Sequence, residues 1–143
     1  MAGKLRNLVR LCEWRVDERR RKLGELLRLV ANLEDQARRL ETELAGEQAI
    51  AGASPGEAGF LYGNYAEAVI LRRDRIAESI AKTEEEIASA REELNDAYRE
   101  LKKYQVTEES RRQRKLRETS RKEQAVADEL STQGFLRRLN TGR

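Results

Sequence analysis

The side chains able to do covalent or acid–base chemistry are few. Histidine is absent and Cys12 is the single cysteine, which leaves no imidazole base, no His–Cys zinc set and no internal disulfide. With no histidine to activate it, and burial raising a thiol's pKa, Cys12 reads as a small core residue. Carboxylates are abundant in one stretch: Glu84, Glu85, Glu86, Glu92, Glu93, Asp96 and Glu100. Paired acids can serve as general acid and base only when a concave pocket desolvates them. A chain with nothing but helices to offer has no such pocket, so these acids read as a solvated face. The segment from Arg111 to Lys122 holds seven Lys/Arg and one acid, Glu118. It is able to track a phosphate backbone, meet an acidic protein, or simply face water; it carries no aromatic for base stacking and no nucleic-acid motif. The residues thus point away from an enzyme and away from any metal or cofactor.

Composition agrees. Of 143 residues, 38% are charged and only 5% aromatic, with one proline, against about 25% charged in ordinary globular domains. Mean hydropathy is −0.83. So little apolar material cannot fill a three-dimensional core, but it can line a seam between helices. No stretch resembles a signal peptide or 18 consecutive apolar residues, and the expectation is a soluble, cytoplasmic chain. The net charge of +3 is small, so the distribution of charge matters more than its sum.

The spacing supplies the elements. Steps of four and three pick out Leu5, Val9, Cys12, Val16, Arg19, Leu23, Leu26, Val30, Leu33, Ala37, Leu40 and Leu44. Only Arg19 breaks this heptad run. A second run reads Tyr62, Ala66, Val69, Arg73, Ile76, Ile80, Thr83, Ile87, Ala90, Leu94, Ala97, Leu101 and Tyr104, interrupted by Arg73 and Thr83. Two seams of nearly equal length in one chain predict an all-α fold, a long antiparallel two-helix coiled coil in which the chain folds back on itself. Gly52 suits a left-handed residue after a helix, and Ser54-Pro55-Gly56-Glu57 has the form of a capping box with proline at the first helical position. The expected layout is one domain over 1–143: a helix over about 4–51, a turn at 52–54, a helix over about 55–131, and a frayed tail from 132 to 143 that begins near Gly134.

A hairpin centred near Ala53 sets Leu44 against Tyr62, Leu26 against Ile80, Cys12 against Leu94 and Leu5 against Leu101. The flanking pairs are then Arg15–Glu93, Lys22–Glu86, Glu13–Arg91 and Arg20–Glu84, all opposite in sign. Sliding one heptad opposes Arg20 to Arg91 and Leu5 to Glu108, and this selects the first register. Beyond Tyr104 the apolar pattern fades while good helix formers continue, so the second helix is expected to project past the first.

Two surfaces stand out on this layout. Trp14 falls on the outer face with Leu11 one turn earlier; it meets a partner, or the tail residues Phe135, Leu136 and Leu139 fold over it. At the hairpin tip, Phe60, Leu61, Tyr62, Tyr65, Val69 and Ile70 crowd together. Phe60, Leu61 and Tyr65 exceed what the seam needs, and they dock a partner or stabilise the tip.

This layout, with Leu101-Lys102-Lys103-Tyr104, the Arg/Glu-rich Glu108 to Lys122, and Glu123-Gln124-Ala125-Val126-Ala127-Asp128-Glu129-Leu130, resembles the FliJ family of the flagellar export apparatus and its injectisome relatives of the YscO type. Leu5, Leu8 and Leu11 fit the same resemblance. It implies a non-catalytic stalk, similar to the γ subunit of rotary ATPases, in the hexameric export ATPase ring. Implied partners also include the cytoplasmic domain of the export gate FlhA and export chaperones, with no nucleic acid and membrane association only through these partners. On that mapping Leu11, Trp14, Arg111, Arg112, Arg114 and Lys115 face the ATPase, and Phe60, Leu61, Tyr65 and Val69 face the gate. The alternative is a self-associating structural coiled-coil scaffold.

Overall fold

The computed structural model of the chain describes residues 2–53 and 57–142, and side chains throughout these except at 2, 51, 53 and 57–60. The described residues form two helices, α1 over Ala2–Ala53 and α2 over Glu57–Thr141, and no strand. They pack as an all-α helical hairpin. Alanine, leucine, glutamate, arginine and lysine dominate both helices and favour this state locally. The single proline, Pro55, lies between them. Threonines that would otherwise compete with the helix are accommodated: Thr42, Thr107, Thr119 and Thr132 each donate their hydroxyl to the carbonyl four residues back, at 2.9–3.1 Å.

The chain divides into two compact units, residues 13–98 and residues 1–12 together with 99–143. The heptad reading fits the burial in both. All twelve of the seam positions on α1 are buried or half-buried, and on α2 every one except Arg73 is. Within the unit 13–98, Leu40, Val69 and Ile76 form a buried cluster, with Leu33, Ala37, Leu44, Tyr65 and Ile80 packed against it. The three polar interruptions are handled in three ways. Thr83 is buried and satisfies its hydroxyl on the Ser79 carbonyl at 2.7 Å. Arg19 stays half-buried and places its guanidinium 3.8 Å from Glu93. Arg73 turns to water.

The register differs from the expected one. Lys22 meets Glu93 at 3.4 Å, one heptad beyond Glu86. Val69 and Ile76 stand two turns apart on α2, and Leu40 shares their cluster, so Leu40 sits between them rather than against Ala66. A slide of seven residues maps each seam onto itself, so the apolar pattern tolerates both registers. Arg19 favours the observed one: in the expected register this guanidinium would oppose Ile87, whereas here it reaches a carboxylate. The two objections to the slide are also met. Arg20 hydrogen-bonds the Tyr98 hydroxyl and lies 5.6 Å from its ring, and Glu108 at the end of the pairing is only half-buried. In a Cys12→Ala background, the pair Leu44→Cys/Val69→Cys is expected to form an intramolecular disulfide on mild oxidation, and Leu44→Cys/Tyr62→Cys is not; the gel mobility of the non-reduced chains reads the outcome.

The helix ends also differ. Gly52 lies inside α1, in open space, and the turn with Ser54, Pro55 and Gly56 falls outside the described residues. α1 thus runs to Ala53, past the 51 expected for its end. Gly134 does not end α2, which runs on to Thr141. One glycine costs a helix only about 1 kcal/mol relative to alanine, too little to stop it between good helix formers. Within its unit, α2 outruns α1: every side chain from Glu109 to Gln133 is exposed.

Candidate functional site

The features able to act are surfaces, because the hairpin leaves its chemistry outside. Cys12, the single thiol, is 2% exposed and part of the seam. The carboxylates of α2 face solvent or pair with α1, as Glu93 does with Arg19 and Lys22.

In the unit made of residues 1–12 and 99–143, α2 carries the basic run on a helix with no neighbouring helix over it. Arg111, Arg112, Arg114 and Lys115 are all exposed. Arg112 lies 3.6 Å from Glu109, one turn back. Arg111 borders a depression floored by Leu5, Leu8, Tyr104 and Thr107. Leu11 is exposed on α1 of this unit. Further along α2, Val126, Ala127 and Leu130 make a small apolar patch edged by Lys122 and Glu123, and Phe135, Leu136 and Leu139 are exposed.

In the unit 13–98, Trp14 is 59% exposed, a large apolar ring on an otherwise charged face. The tip residues separate into two groups. Leu61 is 66% exposed, and Ile70 and Leu71, more than two turns further along α2, are exposed as well. Val69 is 5% exposed and belongs to the cluster with Leu40 and Ile76, so it holds the hairpin together and is not offered to a partner. Its two roles in the sequence reading compete, and the seam takes it. Tyr65 packs half-buried on the same cluster. That burial, and then the charges of Glu43 and Glu47, push its hydroxyl above the ordinary tyrosine range. Phe60 has its side chain outside the described residues.

The reading by residue type missed Lys4, Leu8, Lys103, Tyr104 and Thr107 as members of one surface. Each looks ordinary alone. Leu8 sits one place before the seam residue Val9, so its surplus over the heptad was the available signal. No described helix is long and apolar enough to cross a membrane.

Comparison with known proteins yields one family. The model of the family described as Flagellar FliJ protein matches residues 1–140. Neither curated proteins nor solved structures give a match. A match of that extent takes in α1, the reversal and nearly all of α2, including the exposed basic extension. The chain therefore belongs to the FliJ family, coiled-coil proteins associated with flagellar protein export.

Proposed function

We propose that the chain is a non-catalytic stalk of the export apparatus, working in the cytoplasm, that couples the hexameric export ATPase to the export gate by contact. The observation that carries this reading is the exposed extension of α2. A helix that continues from Glu109 to Gln133 with every side chain in water buries no apolar face of its own in this chain, and isolated helices in water are held weakly. Such an extension gains its purpose from a partner. Its cations at Arg111, Arg112, Arg114 and Lys115 provide charge complementarity and rapid association with an acidic surface. Leu11 and Trp14 add apolar anchors to the ATPase contact. Leu61 and Tyr65, with Phe60, form the gate contact with the cytoplasmic domain of FlhA, and export chaperones are further partners. The membrane is reached through these partners.

A second reading, a self-associating scaffold, draws on the exposed Val126, Leu130, Phe135, Leu136 and Leu139; it requires a stable dimer in sedimentation.

The test is binding to the purified hexameric export ATPase, with its hydrolysis rate as a second readout. The wild-type chain is expected to bind and to raise the rate. Trp14→Ala and Arg111→Glu are each expected to weaken binding by roughly tenfold, in line with tryptophan and arginine as interface anchors. Unchanged binding in both variants removes these two contacts from the reading, and no binding by the wild type overturns it.

A further inference from the structure

We infer that the depression where α1 begins beside α2 is a docking point for an acidic amphipathic helix of a partner. An apolar side chain of that helix enters the depression, and carboxylates one turn to either side meet the cations around it. The inference rests on the reading of this end as a partner-binding end and deepens it by naming the partner's chemistry.

The depression lies within one unit and encloses about 410 Å³. Its floor is apolar. Leu5 is buried, Tyr104 and Thr107 are half-buried, and Leu8 is more than a third exposed. The Thr107 hydroxyl donates to the Lys103 carbonyl at 2.9 Å, which leaves its methyl group to the lining. The rim is cationic: Lys4 from α1, and Lys103 and Arg111 from α2. Among the described residues, no carboxylate lines it. Of the acids that follow on α2, Glu109 lies 3.6 Å from Arg112, and Glu108, one turn beyond Tyr104, is half-buried.

Three cations around an apolar floor discriminate by charge as well as by shape. A basic or neutral segment would leave like charges opposed or cations unpaired at the rim, and an acidic one with a central leucine satisfies both parts at once. The spacing suits a helix. Lys103 and Arg111 lie eight residues apart on α2, about 12 Å along its axis at 1.5 Å per residue. Carboxylates four residues to either side of a central leucine span the same distance. Exposed apolar surface continuous with the seam, at Leu8 and Tyr104, provides the contact area.

The probe is an end-blocked sixteen-residue helical peptide with two leucines four residues apart and glutamates flanking them. Its controls carry lysines for the glutamates, or serines for the leucines. Binding to the isotope-labelled full chain is read from amide shifts. The acidic peptide is expected to perturb residues 4–8 and 103–111, to bind at least tenfold more tightly than either control, and to weaken with added salt. Lys4→Glu/Lys103→Glu, changing exposed side chains only, is expected to cost a further tenfold. Equal binding of the acidic and lysine peptides overturns the inference, as does equal binding of the serine peptide, or shifts elsewhere in the chain. Binding to phosphatidylglycerol vesicles in preference to the peptide also overturns it. The export ATPase arm separates the two levels. ATPase binding untouched by Lys4→Glu/Lys103→Glu, with no peptide binding, removes the depression and leaves the stalk reading intact. Peptide binding with no ATPase binding does the reverse.

Discussion

Leu40→Ala is expected to destabilise the hairpin by about 2–4 kcal/mol, lowering Tm by roughly 10 °C or more. Leu40 is 5% exposed and lies between Val69 and Ile76, with Leu33, Ala37, Leu44, Tyr65 and Ile80 around it. Only two helices meet here, so no third element can shift in to fill the space a leucine leaves. Each buried seam residue also represents a large share of the whole interface. The matched control is Leu27→Ala, which removes the same atoms from an exposed position on α1 and is expected to change stability by no more than about 0.5 kcal/mol. Urea unfolding followed by circular dichroism measures both. Equal losses for the two variants would falsify the packing described for the seam.

Leu116→Pro is the second large effect, and it falls in the opposite place. Proline at 116 removes the amide that bonds to the Arg112 carbonyl and drives its ring against that same carbonyl, at a local cost of about 3 kcal/mol. Leu116 is exposed within the extension, beyond the residues that α1 covers. The hairpin itself should therefore melt at an unchanged temperature. Helical ellipticity should drop as the extension loses its continuity, and, on the proposed stalk reading, stimulation of the export ATPase should be lost. Leu116→Ala keeps the helix and is expected to preserve all three properties. Full stimulation by Leu116→Pro would show that the coupling element lies elsewhere.

Much of this fold was legible from spacing because heptad positions report which side chains leave water. Leu5, Val9, Val16, Leu40, Val69, Ile76 and Ile87 are all buried where the pattern puts them. The register was not legible, for a physical reason. A period of seven is blind to a slide of seven, and exposed ion pairs contribute too little each to break the tie. What distinguishes the two alignments is where the odd residue goes, and Arg19 reaching Glu93 is visible only once both helices are in place. The candidate surfaces follow the same logic. Trp14 and the basic run could be read from one helix, since each lies on a single element. The depression bordered by Lys4, Lys103 and Arg111 draws on both helices, so its composition depends on the alignment and stayed hidden. Gly134 failed as a stop signal because the residues on both sides of it propagate the helix.

The buried sulfur has one more consequence. A thiol reacts with alkylating reagents in contact with solvent, and Cys12, 2% exposed, is out of that contact while the seam is closed. Modification must wait for a fluctuation that brings the side chain out. With no second cysteine to compete, the speed at which this chain takes up one equivalent of reagent counts how often the start of α1 comes loose, and does so without any introduced label.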